Sequence, residues 1–166
     1  MESAIISFNE IKGVDNQIIV QFNLDELHYA LYLPAVERVV RTVEITPLPQ
    51  APGIVTGVVN FHGKIIPVVN IRKRFNLPER EINTEDQLII ARTSKRLVGI
   101  VVDTVSGVHE LENFQVAAID GKLPYTKYLS SIAKIENDIV LIHDLEKFLS
   151  VEEQNMVDKA LLTAAK

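Results

Sequence analysis

The sequence predicts an all-β protein made of two small antiparallel barrels or curled sheets, with short helices and a C-terminal amphipathic helix. Two observations on pattern support this: short β-branched runs alternate with polar turns, and the runs at 57–61 and 64–71 are joined by His62-Gly63. A glycine at that place favours a tight hairpin turn. The third observation is that the strand–turn–strand pattern recurs after about 70 residues, which indicates an internal structural repeat.

The repeat is visible as two alignments without gaps. Residues 17–35 align with 87–105 at an offset of 70, and residues 57–75 align with 131–149 at an offset of 74. A barrel of about 60 to 70 residues buries little surface alone, so the two barrels are expected to share a hydrophobic seam.

The repeat defines the predicted domain organisation. Residues 1–16 are polar and turn-rich and are expected to form a flexible arm. The two-barrel domain spans 17–149, and a C-terminal helix spans 150–166. The barrels are predicted at roughly 17–77 and 87–149, with strand exchange between them left open.

The first half begins with two predicted strands, 17–24 and 27–33, joined by a turn at Asp25-Glu26. Residues 34–41 have the valine spacing of a short helix or an irregular turn. The pattern also allows a short strand at 43–46, and the prolines that follow it predict an extended segment: Pro47, Pro49 and Pro52.

The central hairpin is followed by a short helix. Pro67 predicts that the second hairpin strand is an edge strand or contains a bulge. Asn70 is expected to cap the helix that follows, and in the second copy Asp144 stands at this cap position. The second copy is expected to turn at Asn137-Asp138.

Two segments flank the second barrel. Residues 78–86 are charged and predict a linker or exposed loop. Ser150 and Glu153 form a capping box at the start of the last helix. An apolar stripe predicts that this helix docks on a barrel, and its members are Val157, Ala160, Leu161 and Ala164.

Composition excludes several classes of function. The chain has 166 residues, no cysteine, a net charge of −5 and a pI of about 5.4. These values argue against disulfides and against a dedicated nucleic-acid binder. The basic run at 72–74 is expected to be a solvated helix face. No signal-peptide pattern or apolar run long enough to span a membrane is present, so direct membrane insertion is not expected.

No motif for catalysis or metal binding is present. The four histidines lack zinc-type spacing, and there is no Gly-x-Ser-x-Gly nucleophile turn or phosphate-binding loop. The sequence therefore predicts a protein without enzymatic activity, metal or cofactor.

An ordered set of segments resembles the CheW family of chemotaxis coupling proteins. The segments are YALYLPAVERV (29–39), TPLPQAPGIVTGVVNFHGKIIPVVNIRKRF (46–75), LVGIVVDTVSGV (97–108) and YLSSIAKIENDIVLIHDLEKFL (128–149). The resemblance covers about residues 17–160. It implies two five-stranded SH3-like barrels packed together and no catalysis.

The resemblance also implies partners and site residues. The partners are the cytoplasmic tip of methyl-accepting chemotaxis receptors and the regulatory domain of a CheA-type histidine kinase, so the protein is expected in the cytoplasm, recruited to receptor arrays. A receptor-facing groove is expected between the barrels near four residues: Val36, Leu88, Val105 and Val108. Further contacts are expected at Gly57 and at the turn Asn60–Gly63, and Gly57→Asp is expected to weaken partner binding more than stability.

Two positions depart from the family pattern. His62 stands where the family's N-x-R-G turn has arginine, and Arg38 stands where an acidic residue is frequent. An imidazole does not reproduce the planar five-donor fork of arginine. Either the partners of this protein carry compensating charges, or it is a coupler of a divergent pathway such as pilus or gliding motility.

Three hypotheses for the function differ in the surface they require. An adaptor predicts exposed aliphatic patches around Val36 and Val105–Val108. A small-ligand-binding barrel protein predicts an apolar cavity with convergent polar groups. A barrel that binds single-stranded nucleic acid needs aromatic side chains on a basic face, which an acidic chain with 6% aromatic residues hardly provides.

Overall fold

The computed structural model describes residues 4–7, 18–112, 116–118 and 127–164. Its strands form two sheets of six strands each. The first sheet contains, from edge to edge, β1 (Ala4–Ser7), β4 (Val36–Arg41), β7 (Gln87–Arg92), β8 (Leu97–Val102), β6 (Lys64–Val69) and β5 (Val55–Phe61). The second sheet contains β10 (Val116–Ala118), β11 (Leu129–Ile135), β12 (Asp138–His143), β3 (Leu27–Tyr32), β2 (Ile18–Leu24) and β9 (Thr104–Glu110). The prediction of an all-β fold with two subdomains is confirmed.

The helical elements are few and short. Two α-helices are present among the described residues, α1 (Ile71–Arg74) and α2 (Val151–Ala164). Two 3₁₀ helices cover Leu33–Ala35 and Leu145–Lys147.

The sheets do not follow the sequential halves 17–77 and 87–149. Hairpin β2–β3 lies in the second sheet, and hairpin β7–β8 lies in the first. Each exchanged hairpin pairs antiparallel on one side and parallel on the other, β3 with β12 and β8 with β6. The chain changes sheets at the 3₁₀ helix that contains Pro34 and again at Asp103. Strand exchange, which the sequence left open, is therefore the arrangement of the fold.

The strand bounds follow the repeat. Strands β3 and β8 begin at residues 27 and 97, and β5 and β11 begin at residues 55 and 129, which are the predicted offsets. Strands β5 and β11 also alternate between buried and exposed positions in the same order. Equivalent strands therefore occupy equivalent places in the two sheets.

Both sheets close into barrels in the same way, through a returning segment that pairs with another strand. The chain beyond β4 returns to β5, where Thr46 and Val58 exchange backbone hydrogen bonds of 2.9 and 2.8 Å. The chain beyond β9 returns as β10, in which Ala117 pairs with Ile132. Val58 and Ile132 are 74 residues apart, so the closure is part of the repeat.

Three buried clusters explain why the strands are apolar on both faces. A small cluster fills each barrel, and its members are Val40, Val59, Ile66, Val68, Leu88 and Ile90 in the first and Ile19, Ala30, Leu111, Ala133, Val140 and Ile142 in the second. The largest cluster joins both sheets and includes Phe22 and Ile100. Adjacent residues such as Leu88 and Ile89 therefore face different cores. This is the shared seam that the sequence predicts.

Four local expectations need correction. Residues 36–41 form strand β4, because Val36 and Val39 face the seam and Val40 faces the first barrel. Strand β6 lies inside its sheet, and it accommodates Pro67 because its parallel pairing with β8 begins only at Val68. Residues 43–46 do not form the expected short strand and contribute a single β-bridge, at Thr46. The second hairpin turns at 136–137, one residue before the expected Asn137-Asp138.

The predicted caps are confirmed. The Asn70 side chain accepts from the Lys73 amide at 3.1 Å, and that of Asp144 accepts from the Glu146 amide at 3.0 Å. Ser150 and Glu153 form the capping box through bonds of 2.8 and 3.1 Å. Helix α2 docks with Val157 and Ala160 in the buried core, although Ala164 is exposed.

The predicted N-terminal arm is described only in part. Residues 4–7 form β1, which pairs antiparallel with β4. The remaining residues of the segment 1–16 lie outside the described part of the chain, as do residues 165 and 166 of the predicted helix.

Candidate partner-binding surface

The tip of hairpin β5–β6 is an exposed, conformationally fixed turn. His62 and Gly63 both have left-handed backbones, with φ of 51° and 83°. The Asn60 side chain accepts a hydrogen bond from the Gly63 amide at 3.0 Å. Two consecutive residues with positive φ make the turn compatible with the twist of the strands, so the sequence-predicted turn 60–63 is presented rigidly.

Arg38 lies beside this tip. Its guanidinium carbon is 5.5 Å from the centre of the Phe61 ring, and the Phe61 and His62 rings are 4.2 Å apart. Glu37 points to a different partner and accepts from Arg92 Nε at 2.8 Å. The structure therefore brings together the two residues that depart from the family pattern, through the ring of Phe61.

Strand β9 carries the second group of predicted residues. Val105 is partly buried against the seam, and Val108 is 38% exposed. The Val105 amide donates to Gln87 Oε1 at 2.5 Å, which joins the start of β9 to strand β7 of the other sheet. An aliphatic surface around Val105–Val108 is thus present at the boundary of the sheets.

Two of the predicted groove residues are not on the surface. Val36 is 5% exposed and lies in the seam, while Leu88 is 1% exposed and lies inside the first barrel. The expectation of an exposed patch at Val36 is wrong, because β4 and β7 are buried on both faces.

Gly57 is also buried. A Cβ there would lie 2.8 Å from the carbonyl carbon of Thr46 and 2.9 Å from Cγ2 of Ile45, and closer still to the Thr46 carbonyl oxygen. The backbone that approaches Gly57 so closely is therefore the chain's own segment at 45–46, which closes the first barrel. We now expect substitution of Gly57 to lower stability first.

Sequence reasoning missed two exposed apolar side chains. Ile65 and Ile139 are 52% and 62% exposed and occupy equivalent positions, 74 residues apart, at the start of β6 and β12. A partial signal was available: adjacent residues of a period-two strand face opposite sides, so each of these residues and its buried neighbour could not both enter one barrel core.

The basic run 72–74 is not a solvated face. Arg72 is 8% exposed and is paired with Asp25 and Asp103. Arg74 donates to Glu153 at 2.7 Å and to the Tyr128 hydroxyl at 3.1 Å, which joins α1 to the start of α2. The arginine charges of this run are therefore used within the fold.

A cleft of about 390 Å³ lies between α1 and hairpin β11–β12. Its walls include Tyr29, Phe75 and Tyr128, with His143 beneath them, 5% exposed. Burial lowers the pKa of the His143 imidazole to about 4, despite its hydrogen bond to the Leu141 carbonyl. The cleft lies outside both barrel cores and includes none of the nine predicted site residues.

Metal-ligating clusters and membrane-spanning helices are both absent from the part of the chain that the structure describes. Across those residues, no group of three or more His, Cys, Asp or Glu side chains could hold a metal ion. Within the same residues, no helix is long and apolar enough to cross a membrane.

The sequence profile of the CheW-like domain family matches residues 19–153. The chain belongs to the CheW-like domain family. A chemotaxis protein CheW of Bacillus subtilis is 31% identical over 145 residues, which cover 86% of this chain and 92% of that protein. A chemotaxis protein CheW of Thermotoga maritima is 30% identical over 131 residues, which cover 79% of this chain and 86% of that protein.

A solved structure has the same fold. It is the scaffolding protein TtCheW from Thermoanaerobacter tengcongensis, with a TM-score of 0.75, 29% identity and coverage of 86% of this chain and 93% of the other. Protein FrzA of Myxococcus xanthus is a more partial relative, 28% identical over 90 residues, which cover 54% of this chain and 56% of that protein. The CheW resemblance read from the sequence is confirmed.

Proposed function

We propose that this protein is a non-enzymatic adaptor that couples chemoreceptors to a CheA-type histidine kinase. It acts in the cytoplasm, at receptor arrays. It binds the kinase regulatory domain and the cytoplasmic tip of the receptor through outer surfaces of its two barrels.

One observation carries the proposal. The cores of both barrels are filled by their own side chains, while Ile65, Ile139 and Val108 leave apolar surface in solvent. A protein that binds ligands inside a barrel needs a cavity there. Exposed apolar residues beside polar turns are typical of a protein-binding surface. Membership of the CheW-like family supports the same conclusion.

The choice between chemotaxis and a divergent motility pathway depends on the hairpin tip. Arg38 and His62 lie on one surface with Phe61. Charges at the rim of an interface mainly set association rate and partner choice. A coupler of a divergent pathway is the alternative, and it predicts tight binding only to receptors and kinases encoded beside this protein.

The test is reconstitution from purified parts. The full chain is mixed with a cytoplasmic receptor fragment and with a kinase regulatory domain, separately and together, and binding is measured by titration calorimetry. We expect binding to each and a ternary complex that sediments as one species. Failure to bind either partner from the native system would overturn the proposal.

A matched pair of variants locates the surface. Ile65→Ser alters a residue of the hairpin that is 52% exposed, and Ile82→Ser alters one of similar exposure, 42%, in the segment between α1 and β7. We expect Ile65→Ser to raise the Kd for one partner by about tenfold, as an interface residue does. Ile82→Ser should leave both affinities unchanged.

A further inference from the structure

Asp103 is the single residue through which the chain passes from β8 in the first sheet to β9 in the second. Its amide donates to the Asn23 carbonyl at 3.1 Å. Its carboxylate accepts from the Asp25 amide at 2.7 Å and from the guanidinium groups of Arg72 and Arg80 at 2.8 and 2.5 Å. Asp25, Arg72, Arg80 and Asp103 together form a cluster that we name the Asp103 clamp.

Arg72 is the centre of the clamp. Its second terminal nitrogen donates to both carboxylate oxygens of Asp25, at 3.1 and 3.0 Å, and to the Pro78 carbonyl at 3.0 Å. One planar guanidinium thus joins the β2–β3 turn, the crossing at Asp103 and the segment after α1. Lysine cannot reproduce this fork, because it presents a single ammonium nitrogen.

The clamp is charged in the folded protein. Burial by itself would raise the pKa of the Asp103 carboxyl, but the Asp25 amide and the two arginines outweigh it and hold that pKa below its usual value. Burial likewise opposes the charge of Arg72, yet its bonds to Asp25 and Asp103 keep its pKa raised. Charged hydrogen bonds of this kind are stronger than neutral ones.

Strand β9 depends on its starting point for its placement. In the described sheet it pairs with β2 alone, and that pairing is irregular between Gln21 and Phe22. Gly107 has a φ of 146°, so the backbone departs from regular strand geometry in the middle. The hydrogen bond that joins β9 to the first sheet runs from the Val105 amide to the Gln87 side chain, two residues after Asp103.

We propose that Arg72 is a positioning residue that, through Asp103, fixes the start of β9 and thereby the placement of Val105 and Val108 relative to the first sheet. The consequence for partner binding rests on the proposed function, in which these valines face the receptor. The consequence for β9 itself needs no partner.

The first experiment uses hydrogen exchange of the full chain without partners and compares Arg72→Lys with Arg74→Lys. Arg74 is a matched control, because it is an ion-paired arginine of the same short helix that contacts α2 instead of the clamp. We expect amide exchange at 104–108 to rise about tenfold in Arg72→Lys, as for the loss of roughly one charged hydrogen bond. It should be unchanged in Arg74→Lys, and β5–β6 should be unchanged in both.

The second experiment measures affinity for the receptor fragment. Arg72→Lys should raise the Kd for the receptor fragment about tenfold relative to Arg74→Lys. The comparison requires that the two variants have equal melting temperatures. If Arg72→Lys does not fold, Asp103→Asn replaces it, since it keeps the shape of the side chain but removes its charge and one of its two acceptor oxygens, and the same two results are expected.

The outcomes separate the two proposals. Unchanged exchange in β9, or equal effects of the Arg72 and Arg74 variants, would overturn the positioning role even if the wild-type protein binds the receptor. Faster exchange in β9 with no receptor binding by the wild type would retain the positioning role and overturn the proposed function instead.

Discussion

The hairpin–helix units 55–75 and 129–149 have the same frame and different side chains. Their strands begin 74 residues apart, β5 and β11 have the same order of burial, and a side-chain cap starts each short helix. Yet buried Gly57 corresponds to buried Ser131, and Val69 corresponds to His143. The alternation of the strands determines where side chains point, whereas the neighbours contributed by the rest of the chain determine which side chains fit.

Gly57 and Ser131 provide the first way to test this comparison. Gly57→Ser gives the first barrel the residue of the second, but its Cβ would overlap the Thr46 backbone, which belongs to the closing segment. We expect the free energy of unfolding to fall by roughly 2 to 4 kcal/mol, because the neighbour is backbone and cannot rotate away. Urea denaturation measures it.

The reciprocal variant is the control. Ser131→Gly removes a 2.8 Å hydrogen bond with the Tyr32 hydroxyl and adds backbone freedom, so a smaller loss of about 1 kcal/mol is expected. A Gly57→Ser protein as stable as the wild type would show that the closing segment can move, and the glycine would then be free for a role in binding.

His143 and Val69 give a test that depends on pH. The pKa of His143 is about 4 in the folded protein and about 6.5 when unfolded, so only the unfolded chain takes up a proton between these values. The contribution of neutral His143 to the free energy of unfolding is fully present above about pH 6.5 and is lost as the pH falls toward 4. Linkage predicts a loss of roughly 2 kcal/mol between pH 7.5 and pH 5.

His143→Val makes this position like its counterpart. The difference in unfolding free energy between wild type and variant should then change by that amount over this pH range, with the carboxylates common to both cancelling. A constant difference would mean that the imidazole is hydrated in the folded protein and that its stacking on Phe75, at 4.2 Å between ring centres, excludes little water.

The two units also differ in the segment after their last residue. Asn76, with a φ of 58°, ends α1, whereas Ser150 at the equivalent position begins α2 through its capping box. Ser150→Ala should lower the free energy of unfolding by about 1 kcal/mol, because the Glu153 amide loses its acceptor. Thr163→Ala, in the exposed last turn, should change it by less than about 0.5 kcal/mol. Calorimetric melting curves that move equally for both variants would contradict a specific capping role.

Local signals in the sequence predicted much of the fold. The caps at Asn70, Asp144 and Ser150 depend on residues within three positions of one another, and each was predicted correctly. The repeat was also visible, because it preserves the spacing of apolar residues. The sequence did not determine the sheet to which each hairpin belongs. Both faces of β2–β3 are apolar, so this hairpin could pack against the neighbouring strands of either sheet.

The candidate site was predicted less well, for the same reason. Val36 and Leu88 were expected at a surface, and both are buried, Val36 in the seam between the sheets and Leu88 inside the first barrel. Arg72 was expected in solvent, since its partners Asp25 and Asp103 are 47 and 31 residues away in sequence. Burial and ion pairing between distant segments are set by the exchange of hairpins, which local pattern does not reveal.

The turns give the comparison with the smallest expected effect on stability. His62-Gly63 at the first hairpin corresponds to 136–137 at the second, and both turns are exposed. The double change His62→Arg and Arg38→Glu restores the usual family pattern. Arg38 and Phe61 are both half-buried, and their stacking contributes only about 1 kcal/mol, so the melting temperature should hardly change.

The effect of this double change should appear in partner choice. Rim charges act on association and specificity, so we expect tighter binding to a typical CheA regulatory domain or receptor tip and weaker binding to the protein's own partners. Glu136→Arg, which places an arginine at the equivalent position of the second hairpin turn, should not reproduce the switch. Titration calorimetry against both partner sets, at low and moderate salt, measures it, because a charge-based preference weakens as salt rises. If the double change leaves the affinity for each partner set unaltered, the two residues are neutral for partner choice. The support for a divergent pathway would then be removed.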